Sequence, residues 1–235
     1  MIQIVHVISG LDTGGAEVML AKLLEGMDRA RFSNVVISLT DRGRLGEQIE
    51  SSGVALYTLG MRRGRPDIAA LPRLIRLLKA LQPTIVQSWL YHADLLSTLA
   101  VKLSGSPILI WNVRCSHMDL KQYSLLTRLV QRVLAWLSGI PAVVVANSVA
   151  GRQQHTRLGY RPRRWVVIPN GFDTQRFRPD SGTRVPLRRE WHVSDDTVLV
   201  AFIARVDPMK DHPTFLEAAQ RVIRTGRPAR ARPIR

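Results

Sequence analysis

The sequence predicts a doubly wound α/β protein, a mostly parallel sheet covered by helices on both faces. Three observations carry that prediction. Short β-rich runs alternate with longer amphipathic stretches through the first 170 residues, the runs are almost continuously apolar as strands buried on both faces require, and Gly or Pro marks most junctions.

In chain order, strands are expected over 2–8, 34–40, 54–59, 84–88, 107–113, 142–146 and 165–168, and helices over 15–27, 45–52, 67–81, 93–103, 120–137 and 149–158. The opening run, Ile-Gln-Ile-Val-His-Val-Ile, is mostly β-branched, and Gly14-Gly15 opens the helix that follows. Gly53, Pro83, Pro107 and Pro141 each stand just before or at the start of a later strand. Ligands of such a sheet belong at the carboxyl ends of its strands.

Residues 170–195 break the rhythm with Asn-Gly-Phe-Asp, a polar Arg/Pro stretch and a short charged helix near 187–191. A first domain over 1–170 and a linker over 171–195 follow from that change. A second apolar run, 198–204, precedes a helical stretch over 213–223, so 196–224 read as the first strand and helix of a second domain, with an Arg/Pro-rich tail, 225–235, expected to be disordered. One strand and one helix cannot bury their own apolar face.

With 235 residues and 46% hydrophobic content the chain can bury a substantial core. No stretch approaches the roughly 20 apolar residues of a membrane span, and the start has neither a basic segment nor a cleavage site, so a cytoplasmic protein is expected. The single cysteine, Cys115, excludes an internal disulfide framework. A formal charge of +16, from 34 Lys+Arg against 18 Asp+Glu, predicts attraction to an anionic partner: nucleic acid, an acidic membrane face or a phosphorylated substrate. A compositional bias toward arginine is the plain alternative.

Four segments could carry chemistry. Gly14 and Gly15 at a helix start offer free N–H groups and a helix dipole to an anion, or else form a tight turn needing φ > 0. The turn Trp89-Leu-Tyr-His-Ala-Asp94 sets His92 and Asp94 outside a strand end, although a lone His is often structural and Asp94 could simply cap a helix. The next strand end adds Arg114 and His117 to the same rim. Arg205 and Lys210 flank a strand–loop–helix junction as two cations suited to a diphosphate leaving group, or else belong to a surface loop. The amphipathic stretch 122–137 reads as a helix packed on its own sheet, with a membrane-surface helix carrying Trp136 as the alternative. No zinc-ligand spacing, H-E-x-x-H or G-x-S-x-G occurs, so neither metal nor serine-hydrolase chemistry is expected.

Taken in order, Gly14-Gly15-Ala16-Glu17, Trp89-Leu-Tyr-His-Ala-Asp94, Ala146-Asn-Ser148, Ile168-Pro-Asn-Gly-Phe-Asp173 and Ala204-Arg-Val-Asp-Pro-Met-Lys-Asp211 resemble the retaining glycosyltransferases of GT-B architecture, family 4. The resemblance implies two Rossmann-like domains, the first receiving the acceptor and the second a nucleotide-diphosphate sugar, with no metal or other cofactor. It implies Arg205 and Lys210 as donor-diphosphate ligands and Gly14, Gly15 and Glu17 as the cleft loop. His92, Arg114 and His117 become the candidate catalytic residues on the acceptor side, either Arg114 or His117 standing where the family usually has a histidine. Asn170 and Gly171 match the interdomain turn. The family's E-x7-E segment lies downstream of Lys210, where this chain has no residues, so a truncated and inactive form is expected.

The parent activity so implied is hexosyl transfer to a lipid-linked or surface-glycan acceptor in polysaccharide biosynthesis, with peripheral contact at the inner face of the cell membrane and no nucleic acid. Two alternatives stand beside it: a non-catalytic basic module binding anionic membrane or a partner protein, and a nucleotide-sugar epimerase of the same architecture.

Overall fold

The computed structural model describes residues 1–62, 64–65, 67–105, 107–115, 125–195, 197–204, 206 and 210–225. The chain forms two compact units, Met1–Gly171 and Phe172–Arg235.

Among its described residues the first unit holds seven strands: β1 (Ile2–Ile8), β2 (Phe32–Ser38), β3 (Ala55–Thr58), β4 (Ile85–Trp89), β5 (Ile108–Val113), β6 (Val143–Ala146) and β7 (Trp165–Val167). All pair in parallel in the order β3-β2-β1-β4-β5-β6-β7, so β1 lies between β2 and β4, with Ile4 opposite both Asn34 and Ile85. Among the described residues six helices join them: α1 (Gly15–Gly26), α2 (Gly46–Ser51), α3 (Ala70–Leu81), α4 (Tyr91–Leu103), α5 (Leu125–Leu137) and α6 (Val149–Arg157). This is the doubly wound, Rossmann-like class.

Because parallel crossovers are right-handed, the reversal of strand order at β1 and β4 sends α1 and α2 to one face and the later helices to the other. The core divides accordingly. Ile8, Leu20, Leu24, Val36 and Ile49 pack under α1 and α2, while Leu74, Leu78, Val86, Trp111 and Leu134 pack under α3, α4 and α5. The amphipathic α3 shows how the sequence achieves this: Leu74 and Leu78, one turn apart, are fully buried, and Arg76 and Lys79 are not. No helix among the described residues is long and apolar enough to cross a membrane.

Some expected boundaries shift for local reasons. The 67–81 helix begins at Ala70, because the Asp67 carboxylate accepts the Ala69 N–H and pairs with Arg73, holding a turn ahead of the helix. The expected helix over 120–137 is described only from Leu125.

The second unit contains α7 (Ser181–Glu190) and α8 (His212–Arg224). The short helix expected near 187–191 starts earlier, capped by the Asp180 carboxylate on the Gly182 N–H at 2.9 Å. The strand expected over 198–204 is not formed: those residues are irregular, since none of the described residues supplies a neighbouring strand for their N–H and C=O groups. Val198, Ile203 and Val206 are exposed, and Phe202 stacks on Phe215 and meets the His212 ring edge-on. The tail from 226 onward lies outside the described residues.

Candidate functional site

The strand order reverses between β1 and β4, and their carboxyl-end turns diverge to opposite faces, leaving a crevice at the rim of the sheet. Gly14, Gly15 and Glu17 border it from the β1–α1 side, His92 from the β4–α4 side and Arg114 from the end of β5. The two turns are tied together: the Ala93 N–H reaches the Ser9 hydroxyl at 3.4 Å, and the Leu90 N–H reaches the Asn112 carbonyl across to β5. Leu90 itself is held at φ 74, ψ 156, a region costing a non-glycine residue about 1–3 kcal/mol.

Gly14 and Gly15 do not need left-handed backbone. Gly14 is extended, φ −153, and neither is among the positive-φ glycines. A Cβ at Gly14 would stand 2.3 Å from Glu17 Oε2, the mobile end of a side chain that could swing aside, whereas one at Gly15 would meet open space. Glu17, in the first turn of α1, thus folds its carboxylate back over the helix N-terminus, where the free N–H groups favour negative charge. An incoming phosphate at this helix end would compete with that carboxylate.

Arg114 lies with its guanidinium 4.9 Å from the centre of the Trp89 ring. Partial burial lowers its pKa and the Glu17 carboxylate opposes the shift; it stays a cation. Trp89 is positioned from below. Its indole N–H donates to His6 Nδ1 at 3.4 Å, and the opposite ring nitrogen of His6 donates to Asn34 Oδ1 at 3.0 Å, which fixes one neutral tautomer. Burial lowers the His6 pKa to about 4, with the Asn34 bond pulling the other way.

His92 is exposed on the first turn of α4, its pKa lowered by the protein around it. Asp94 does not cap that helix. It is fully buried and accepts the Ser88 hydroxyl at 2.6 Å, and burial raises its pKa well above the carboxylate range, against the Ser88 and Asn112 hydrogen bonds. Tyr91 donates to His155 Nε2 at 3.0 Å, since His155 Nδ1–H is engaged by the Gly151 carbonyl at 2.7 Å.

At the end of β6, Ser148 caps α6 through the Gly151 N–H at 2.9 Å and Asn147 Nδ2 reaches the Arg114 carbonyl at 3.5 Å, so the Ala-Asn-Ser segment steadies the β5 exit. Asn170 is half-buried with an Oδ1 that has no partner among the described residues, and a Cβ at Gly171 would meet nothing within 4 Å. Lys210 is exposed in the second unit, ahead of α8. His117 and Arg205 lie outside the described residues, so the paired grip on a diphosphate has one described member. Among the described residues no three His, Cys, Asp or Glu side chains gather as a metal site would need.

The structure therefore brings together Gly14, Glu17 and Arg114, sets His92 on the neighbouring turn, and adds Trp89 and His6 as supports of Arg114. A signal existed for His6: a titratable residue in the middle of an otherwise apolar strand needs a partner.

The sequence profile described as Glycosyltransferase Family 4 matches residues 13–176. The D-inositol 3-phosphate glycosyltransferase of Geodermatophilus obscurus is 40% identical over 81 residues, which cover 34% of this chain and 18% of that protein. The UDP-Gal:alpha-D-GlcNAc-diphosphoundecaprenol alpha-1,3-galactosyltransferase of Escherichia coli is 22% identical over 226 residues, 88% of this chain and 57% of that one. Among solved structures, Anabaena Alr3699/HepE in complex with UDP and glucose superposes with a TM-score of 0.75 at 19% identity, covering 94% of this chain and 58% of that chain. The chain thus spans little more than half the length of the relatives it matches along most of its own.

Proposed function

The chain belongs to Glycosyltransferase Family 4, and from that premise we propose that it forms the acceptor side of a retaining, metal-independent glycosyltransferase. The reaction would move a hexosyl group from a nucleoside-diphosphate sugar to a lipid-linked or surface-glycan acceptor at the cytoplasmic face of the membrane. The observation that carries this reading is the electrostatic pairing of Glu17 with Arg114 at the rim beside the strand-order reversal, with the open approach at Gly15 and His92 on the neighbouring β4–α4 turn.

In this reading Arg114, its guanidinium over the Trp89 ring, presents a fork of N–H donors to an acceptor phosphate. Glu17 covers the N-terminus of α1 and yields it when that phosphate arrives. His92, exposed and kept neutral, is placed to accept a proton from an acceptor hydroxyl. Arg205 and Lys210 would stabilise the departing diphosphate. The relatives named for UDP and for a diphosphoundecaprenol acceptor support this chemistry, and the profile match favours transfer over epimerisation. We further propose that this chain alone does not turn over, because the second unit's described residues hold two helices and no sheet.

Calorimetry with both substrate classes tests it. A short polyprenyl-diphosphate sugar should bind the 235-residue chain and lose about tenfold in affinity in Arg114→Ala, the loss of one charged hydrogen-bond partner. UDP- and GDP-sugars should not bind. Micromolar nucleotide-sugar binding would overturn the incompleteness, and acceptor binding unchanged by Arg114→Ala would overturn the site.

A further inference from the structure

His6 interrupts an apolar strand, and the sheet register gives the interruption a direction. Asn34 lies opposite Ile4, two residues before His6, and Trp89 lies opposite Ile8, two residues after it. Asn112, opposite Trp89 on β5, is in turn two residues before Arg114. Because side chains alternate between the two faces of a strand, steps of two keep Asn34, His6 and Trp89 on one face. The line runs diagonally from within the sheet to its carboxyl-end rim, where Arg114 continues it. His6 is wholly buried and Trp89 only 2% exposed.

Hydrogen-bond chemistry allows this line one arrangement. An indole N–H can only donate, so His6 Nδ1 is the nitrogen without a proton; Nε2 carries it and gives it to Asn34 Oδ1, 3.0 Å away. The two rings are tilted by 53° with centroids 6.3 Å apart, so His6 meets Trp89 through the N–H and not by stacking. Packing alone does not require this arrangement. An aliphatic residue at position 6 would match Ile4 and Ile8 on the same face and would bury no polar atom. What histidine adds is an acceptor for the Trp89 N–H at the end of β4. Without it the indole would turn its N–H toward the water at the rim, and its ring would leave the Arg114 guanidinium it now underlies.

We propose that His6 and Asn34, neither of which stands at a strand end, are positioning residues for Arg114: they fix the Trp89 ring as the platform that aims the guanidinium at the acceptor phosphate. The purpose of the aiming rests on the acceptor reading of Arg114, whereas the aiming itself rests on the register and the hydrogen bonds. Acceptor affinity is then set in part by residues two and three strands away from the contact.

Two readouts on the 235-residue chain test this. In proton–nitrogen spectra the Arg114 Nε–H signal, identified by its absence in Arg114→Ala, should lie upfield of solvated arginines because of the Trp89 ring, and should return to their position in His6→Leu. Calorimetry with a short polyprenyl-diphosphate sugar should show His6→Leu binding about five- to tenfold more weakly than wild type, and the double variant with Arg114→Ala binding no more weakly than Arg114→Ala alone. His6→Asn, whose side-chain oxygen can take over the indole N–H, should restore both readouts. Should His6→Leu fail to fold, Asn34→Leu removes only the partner that fixes the tautomer and should shift both readouts the same way by a smaller amount. An Arg114 signal unmoved in these variants, or losses from His6→Leu and Arg114→Ala that simply multiply, overturns the positioning role. A signal that moves as expected while Arg114→Ala binds the acceptor as well as wild type sinks the acceptor reading and leaves the positioning of Arg114 standing.

Discussion

Residues 2–8 and 198–204 are apolar runs of similar length and composition, and they end in different states. The first becomes β1, hydrogen-bonded on one side to β2 and on the other to β4, with Val5, Val7 and Ile8 wholly buried. The second pairs with no strand among the described residues and leaves Val198 at 85% and Ile203 at 93% exposure. Apolar, β-branched composition nominates a segment for a sheet; only neighbouring strands satisfy its backbone and let its side chains leave water.

The largest expected consequence lies in the first unit. Trp111 on β5 is fully buried, and its indole N–H donates to Thr98 Oγ1 at 3.0 Å, so Trp111→Ala removes both packing and a hydrogen bond. Urea denaturation should show a loss of about 3–5 kcal/mol, the range for truncating a buried aromatic. A loss under about 1 kcal/mol would mean that the sheet packs far more loosely than β5 indicates.

A polar residue inside the β1 run sharpens the contrast. His6 has a folded-state pKa near 4 against an ordinary value of 6.5. The folded chain therefore declines a proton that the unfolded chain accepts, so the stabilisation from neutral His6 is complete above pH 6.5 and is lost as the pH falls toward 4. The shift corresponds to roughly 3 kcal/mol. His6→Gln should be less stable than wild type at pH 7, and that deficit should shrink by about this amount at pH 4, read as urea midpoints across the range. His155 and His92, whose pKa values are also lowered, leave a residual slope in both proteins. A deficit constant with pH would show that His6 is not held neutral.

The seven strands were legible because each run needs only its own composition to be nominated, and right-handed crossovers leave few ways to arrange them. Residues 198–204 misled for the same reason: the same composition stands there without partners. At the rim, the glycines, His92 and Arg114 could be placed because they follow strand ends. The chain Asn34–His6–Trp89–Arg114 could not, since it joins β2, β1, β4 and the end of β5 through side chains that meet only once the sheet has formed. Whether Asp94 served the rim or capped a helix stayed open, because sequence spacing does not reveal whether a helix's first turn points a carboxylate outward or, as here, inward to Ser88.

The smallest effect tests the other side of the comparison. Ile203 sits in the run that failed to become a strand, and its side chain gives up almost no water on folding. Ile203→Ser should therefore move the unfolding free energy by no more than about 0.5 kcal/mol, as for a surface substitution, although isoleucine in β1 would cost several times that. The same urea titration decides it. A loss above about 1 kcal/mol would mean that residues 198–204 are buried in the folded chain in solution, and the contrast between the two runs would then rest on something other than the presence of neighbouring strands.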